Sequence, residues 1–300
     1  MKSRPFKQVD VFTATPYRGN PVAVVLDAQG LDDAQMQAFA RWTNLSETTF
    51  VLRPTEAGRA AGANYRVRIF TPATELPFAG HPTLGTCHAW LQAQAASKLG
   101  SDPNSSTNSS DCLVQECGVG LVTIRREGGR LAFAAPPRLR SGPLDESGVA
   151  LIARGLGVAR SDIVRHAWCD NGPKWRAVML RSAQQVLALQ PDAAVLAGLY
   201  TGVVGPYGAT TAAATAVDAP LLEVRAFFPN GSGMGEDPVT GSLNAALAQW
   251  LIEDGVAPAR YIASQGTALG REGRVHLACV DGEVWVGGEC VTCIDGEVML

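Results

Sequence analysis

VRAFFP at 224–229 and DPVTGS at 237–242 repeat, half a chain later, the segments VRIFTP at 67–72 and HPTLGT at 81–86. The offset between the copies is 157 residues for the first pair and 156 for the second, so their internal spacing is nearly the same. A pattern that returns at a fixed offset is typical of an internal duplication. The sequence therefore predicts two equivalent strand–turn–helix units.

Each copy places an ionisable residue, His81 or Asp237, directly before a proline. Proline is favoured at the first helical position, where its missing N–H has no helical partner, and the preceding residue then takes the cap position. The free N–H groups and the dipole of such a helix start favour a carboxylate or phosphate oxygen. We expect donors of this kind from the next residues of each helix: Gly85, Thr86, Gly241 and Ser242. The pattern predicts one site shared by two similar halves.

The composition favours a globular protein that binds small molecules. The chain has 300 residues, 46% hydrophobic and 18% charged, which is enough for about two buried cores. A formal net charge of -3 gives no electrostatic footprint for nucleic acid or an anionic membrane. The N-terminal region lacks the apolar stretch of a signal peptide, and no apolar run approaches the roughly 18 residues that span a bilayer. We expect a cytoplasmic protein.

Seven cysteines form an odd set, which favours reduced thiols over a disulfide framework. Cys290 and Cys293 form a lone CxxC pair. A structural zinc site needs four ligands, and a second ligand pair is missing from the sequence. The glycine-rich segment 231–235 departs from the GxGxxG spacing and is followed by no Walker lysine. Neither a metal nor a nucleotide cofactor is expected.

The order of predicted elements indicates an α+β fold with mostly antiparallel sheets, because strands and helices do not alternate as βαβ units. We expect a first lobe over 1–128, rejoined by C-terminal strands at 287–300, and a second lobe over 129–286. Asp-Gly pairs at 281–282 and 295–296 predict two hairpin turns. Residues 100–111, rich in Ser, Asn and Asp, predict a mobile surface loop. The predicted helices cover 33–44, 82–96, 146–156, 191–199 and 238–253.

Several motifs together resemble the PhzF-like family of phenazine biosynthesis, which shares the fold of diaminopimelate epimerase. They follow the family's order over most of the chain. The motifs are GNPVAVV at 19–25, NLSETTF at 44–50, GHPTLG at 80–85, GPKW at 172–175 and GEDPVTGS at 235–242. The resemblance implies two pseudo-symmetric lobes, each an antiparallel sheet wrapped around a central helix, with a cofactor-free site in the cleft between them.

The resemblance also implies roles for particular residues. The glutamate of the SETTF motif is the principal acid/base in such proteins and corresponds to Glu47, assisted by His81 and Asp237. A homodimer and a small carboxylate-bearing substrate are also implied. The residues implied in binding the substrate carboxylate are Ser46, Gly80, Gly241 and Ser242.

The epimerase branch of this fold carries one cysteine base in each duplicated turn, but Ala79 and Pro238 stand at those positions here. Two-thiol racemisation is therefore excluded, and chemistry by one carboxylate is expected. A nearby Asp237 carboxylate would favour protonated Glu47, whereas a charged His81 would favour the ionised form. The sequence leaves that conflict open. It also leaves open a metabolite sensor without turnover, and an amino-acid racemase that uses Glu47 with His81 or Asp237.

Overall fold

The computed structural model describes residues 1–99, 111–208, 219–230 and 233–300. The predicted loop at 100–111, apart from Asp111, lies outside the described residues, as do residues 231–232 of the glycine-rich segment. The chain divides into two compact units, Met1–Ala134 with Gly287–Leu300, and Ala135–Val286. Within the described ranges, no helix is long and apolar enough to cross a membrane.

The first stretch of chain, up to Ala134, is built mainly from strands. Its helices are α1 (Asp33–Thr43), α2 (Glu56–Ala60) and α3 (Gly80–Leu99). Its strands are β1 (Ser3–Val11), β2 (Asn20–Val25), β3 (Glu47–Leu52), β4 (Tyr65–Phe70), β5 (Glu75–Leu76), β6 (Cys112–Cys117), β7 (Gly120–Glu127) and β8 (Arg130–Ala134). The unit extends to Ala134 rather than ending at residue 128, because β8 pairs antiparallel with β7.

The rest of the chain, from Ala135 onward, is also built mainly from strands. Its helices are α4 (Glu146–Leu156), α5 (Ala183–Ala188) and α6 (Gly241–Glu253), with short 3-10 helices at Arg160–Asp162 and Thr267–Leu269. Its strands are β9 (Arg165–Cys169), β10 (Trp175–Met179), β11 (Thr201–Pro206), β12 (Leu222–Asn230), β13 (Gly233–Asp237), β14 (Arg260–Gln265), β15 (Gly273–Val280), β16 (Glu283–Gly288) and β17 (Cys290–Met299). In the first unit, β17 pairs antiparallel with β1.

The duplication predicted from the sequence is present in the strand pairing. In the first unit, β1–β2 is antiparallel, β2–β3 parallel, β3–β4 antiparallel and β4–β6 parallel. In the second unit, β9–β10, β10–β11, β11–β12 and β12–β14 follow the same alternation. A short antiparallel strand and a long helix connect the last pair in both units: β5 and α3, then β13 and α6. The prediction of an α+β fold from two similar halves is confirmed.

A bidentate arginine–glutamate ion pair, or fork, joins each short strand to its neighbour. Arg68 on β4 binds both carboxylate oxygens of Glu75 on β5, at 2.7 and 2.6 Å. Arg225 on β12 binds Glu236 on β13 in the same way, at 2.8 and 2.7 Å. The side chain of Glu236 is 14% exposed, whereas that of Glu75 is 41% exposed. Each fork therefore holds the segment that precedes a long helix. Only the fork of the second unit is buried.

The two long helices lie against the sheets of their own units. α3 contacts β1, β2, β3, β8 and β17. α6 contacts β9 and β15, and its residues are buried on nearly every side. A helix that is apolar around its whole circumference is a core helix rather than an amphipathic surface helix. Each long helix therefore starts inside its unit, where side chains from several strands can reach it.

Capping residues mark the ends of the shorter helices α1, α4 and α5. Asp32 and Gln35 form a capping box before α1, and Asn44 ends this helix in the left-handed region as predicted. α4 ends at Leu156, as predicted, and Gly157 is its C-cap residue. The predicted helix at 191–199 is wrong, because that stretch forms turns. The helix forms earlier, as α5, where the side chain of Ser182 accepts a hydrogen bond from the Gln185 N–H.

One of the two predicted Asp-Gly turns is wrong. Asp281 and Gly282, both with positive φ, join β15 to β16 as predicted. Asp295 and Gly296 instead lie inside β17. Pairing with β1 places Asp295 opposite Lys7, and Lys7 Nζ donates to the Asp295 carboxylate at 2.6 Å. Strand pairing and this ion pair override the local turn preference.

Candidate active site

His81 lies in the first turn of α3 and not at the cap, because the helix begins at Gly80. The prediction of a helix start at Pro82 is therefore wrong. Any of the first N–H groups of a helix lacks an intrahelical partner, so proline is tolerated throughout the first turn. Gly85 and Thr86 are consequently one turn inside the helix and offer no helix-start N–H. The Thr86 hydroxyl donates to Thr49 Oγ1 at 2.8 Å.

Glu47 and His81 meet in the first unit. Glu47 is the first residue of β3, and its Oε2 lies 3.3 Å from His81 Nε2. Their side chains are 15% and 6% exposed, respectively. On the other side of the ring, Asn20 Nδ2 lies 3.5 Å from His81 Nδ1. A carboxyl, an imidazole and an amide therefore form one buried group where β2, β3 and α3 begin.

Burial sets the charge of His81. It lowers the pKa of the ring to about 3, opposed in part by a hydrogen bond to the Pro21 carbonyl. His81 is therefore neutral at pH 7, and its contact with Glu47 joins a carboxyl group to a neutral imidazole. A charged His81, which would favour the ionised form of Glu47, is therefore absent at pH 7.

The neutral ring can adopt two tautomers. With the proton on Nδ1, Nε2 can accept a hydrogen bond from a protonated Glu47. With the proton on Nε2, the ring faces a Glu47 carboxylate and Nδ1 can accept from the Asn20 amide. The neutral ring can therefore accept a hydrogen bond from protonated Glu47 or donate one to its carboxylate, which suits a carboxyl that takes up and returns protons.

We expect His81 to make the protein less stable as the pH falls. Between pH 6.5 and about 3, the unfolded chain binds a proton that the folded ring excludes, so unfolding becomes easier on acidification. Between pH 6.5 and 5, the unfolding free energy of His81→Asn should fall by about 2 kcal/mol less than that of the wild type. Urea unfolding at both pH values measures this difference. His276→Asn, at a half-buried position on β15, is the control, and equal pH slopes in wild type and His81→Asn would contradict the expectation.

Asp237 ends β13 and does not cap α6, because that helix begins at Gly241 with Thr240 as its N-cap residue. The predicted helix start at Pro238 is wrong here too. The Thr240 hydroxyl donates to Asp237 Oδ2 at 2.7 Å and makes no hydrogen bond to the helix N–H groups. His81 and Asp237 are therefore not structurally equivalent: one lies inside a helix and the other precedes one.

The start of α6 is held from a neighbouring turn. Asn171 Nδ2 donates to the Ser242 carbonyl at 2.8 Å, and Trp175 Nε1 donates to Ser242 Oγ at 3.0 Å. Thus the Ser242 hydroxyl is already an acceptor. The first-turn N–H groups of Gly241 and Ser242 have no intrahelical partner. In the first unit, Ser46 is exposed beside Glu47, and Gly80 is buried at the start of α3.

The seven cysteines are free thiols. Burial raises the pKa of Cys87 and of Cys169 to about 12. Ala79 immediately precedes α3, and Pro238 immediately follows β13, so neither duplicated turn carries a thiol. The described residues therefore provide no thiolate pair at the two helix starts.

The structure thus presents two groups of candidate residues, one in each unit. Glu47, His81 and Asn20 are together in the first unit, and Asp237, Thr240 and Ser242 are near one another in the second. Sequence reasoning did not assign roles to Asn20, Thr240 or Gln265. Asn20 and Thr240 lie within motifs that were recognised, but Gln265 lies in none and is found only through its contacts.

Comparison with known proteins identifies the class. The model of the phenazine biosynthesis-like protein family matches residues 9–296. Trans-2,3-dihydro-3-hydroxyanthranilate isomerase of Pseudomonas fluorescens is 32% identical over 304 residues, covering 97% of this chain and 98% of that protein. Antisense-enhancing sequence 1 of Schizosaccharomyces pombe is 34% identical over 313 residues, covering 99% of each protein.

A solved structure agrees with these matches. A phenazine biosynthesis protein of the PhzF family from Enterococcus faecalis superposes with a TM-score of 0.77 at 24% identity, covering 100% of both chains. The fold is of the diaminopimelate epimerase-like class, as the resemblance implies. The chain belongs to the phenazine biosynthesis-like family and is an isomerase of the PhzF type.

Proposed function

We propose that this isomerase moves a proton between two carbons of a small carboxylic acid, with Glu47 as the general acid/base and no cofactor. The observation that carries the proposal is the buried contact between Glu47 and a neutral His81. In the forward step the Glu47 carboxylate takes a proton from a substrate carbon, and the electron pair passes into the conjugated acid. The protonated Glu47 then returns the proton to another carbon, which regenerates the carboxylate.

The remaining residues have supporting roles in this proposal. His81 exchanges hydrogen bonds with Glu47 as the charge of Glu47 changes, and protonated Asp237 stabilises the negative charge that develops on the substrate by donating a hydrogen bond to it. A substrate carboxylate suits the first-turn N–H groups of Gly241 and Ser242, because the Thr240 side chain leaves them uncapped. In the first unit, Gly80 and the exposed hydroxyl of Ser46 are further proposed donors to a substrate carboxylate.

The first experiment uses trans-2,3-dihydro-3-hydroxyanthranilate as the probe, because relatives at about 30% identity carry the name of its isomerase. Proton NMR in D2O follows the loss of the original C–H signal and the appearance of the isomer. Conversion without added metal or cofactor is the expected result.

The same experiment separates the alternatives. A probe that raises the melting temperature but undergoes no carbon–proton exchange would favour a binding protein. Enantiopure amino acids, tested in parallel by optical rotation, would reveal a racemase. Either outcome would overturn the proposed isomerisation.

A further inference from the structure

Gln265 makes four hydrogen bonds to the segment that carries Asp237. It ends β14 and is fully buried. Its Oε1 accepts from the Thr240 N–H at 3.0 Å and from Asn244 Nδ2 at 2.8 Å. Its Nε2 donates to the Asp237 carbonyl at 3.0 Å and to Thr240 Oγ1 at 2.9 Å. An amide group has two donors and two acceptor lone pairs, so its capacity is filled.

These partners determine which way the amide points. The Thr240 backbone N–H can only donate, and the Asp237 carbonyl can only accept. A reversed Gln265 amide would place N–H against N–H and oxygen against oxygen, so the orientation follows from the network. Nε2 therefore donates to Thr240 Oγ1, and the hydroxyl must direct its own proton elsewhere. Asp237 Oδ2, at 2.7 Å, is the acceptor that it meets.

The backbone around Gln265 keeps this network close to Asp237. Gly266 follows it with φ +90°, and a Cβ atom there would lie 2.6 Å from the Pro238 carbonyl oxygen. Only glycine permits both that conformation and that approach. The end of β14 therefore packs closely against Pro238, the residue that follows Asp237.

We infer that Gln265 is a positioning residue that acts through Thr240: it directs the Thr240 hydroxyl onto Asp237 Oδ2, so that any proton taken up by Asp237 resides on Oδ1. The catalytic relevance of this arrangement rests on the proposed function, in which Asp237 stabilises developing charge. The orientation itself can be tested without a substrate.

The test is a double-mutant cycle read by ¹³C NMR of protein labelled at the aspartate carboxyl carbon. Thr240→Val removes the hydroxyl and keeps the shape of the side chain. Gln265→Glu keeps an acceptor for the Thr240 N–H but removes the Nε2 donor, so the hydroxyl can turn toward Glu instead. Asp237→Asn assigns the resonance, and Thr240→Ser retains the hydroxyl as the conservative control.

We expect Thr240→Val to raise the titration midpoint of the Asp237 carboxyl by about one pH unit, because a hydrogen bond to the charged form is lost. Gln265→Glu should also raise it, through the lost hydroxyl bond and the new charge. The double variant should equal Gln265→Glu alone, since the hydroxyl contribution can be lost only once. Thr240→Ser should titrate like the wild type.

Two results would overturn the inference: an unchanged midpoint in Thr240→Val, or shifts of the single variants that add in the double variant. Circular dichroism of each variant checks that the fold is kept. Failure of isomerisation with the probe acid would count against the proposed function and leave this titration result unaffected, so the two failures are distinguishable.

Discussion

Glu47→Gln is expected to lower the isomerisation rate by about 10²–10⁴-fold, the range attributed to a positioned general acid/base. Glutamine keeps the size and the hydrogen-bonding reach of glutamate but cannot take up a proton from carbon. It can keep the contact with His81, whose Nε2 lies 3.3 Å from Glu47 Oε2 in the wild type. Chemistry should therefore be lost while the surrounding structure is kept.

The measurement combines initial rates on the probe acid with its binding, followed by thermal shift. We expect the rate to fall at saturating probe while the binding constant changes by less than about tenfold, since the carboxylate donors are other groups. Glu56→Gln is the matched control, because Glu56 is exposed in the first turn of α2. A Glu47→Gln variant that keeps even a tenth of wild-type turnover would refute the assignment.

The repeat explains how much of the fold could be predicted from the sequence. The Asp32 cap and the glycine stop after α4 are local signals, and each is satisfied by partners a few residues away. The duplicated strands were found because the same segment recurs in the sequence, although their pairing partners are distant in the chain. Helix starts were placed less well. Proline is acceptable anywhere in the first turn, so His81-Pro82 could not distinguish a cap from a position inside α3.

Sequence patterns do not identify residues whose partners are distant along the chain. Gln265 contacts Thr240, 25 residues away, and a lone glutamine at a strand end carries no local signature. The same reason accounts for Asp295, whose turn signal is overridden by a partner strand at the other end of the chain. Glu47 itself was found only through family resemblance, because a glutamate at a strand start is ordinarily a solvated residue.

Glu236→Gln is expected to lower the free energy of unfolding by about 3 kcal/mol, because breaking a buried ion pair leaves the partner charge uncompensated. Arg225 is the partner, and its side chain is 7% exposed. Arg225 Nη1 also donates to the carbonyls of Val186 and Leu189, and the guanidinium lies 5.0 Å from the centroid of the Phe227 ring, but none of these groups carries a full negative charge. The duplicated fork of the first unit provides a matched comparison within one molecule.

Glu75→Gln makes the same chemical change in that fork but should lower the unfolding free energy by less than about 1 kcal/mol. Glu75 is 41% exposed, and Arg68 keeps Asp33 as a second carboxylate partner. Glu146→Gln, in an exposed pair with Arg160, is the control within the second unit. Urea unfolding followed by circular dichroism measures all three variants. Equal losses for Glu236→Gln and Glu75→Gln would contradict the expectation that the buried fork contributes more to stability than the exposed one.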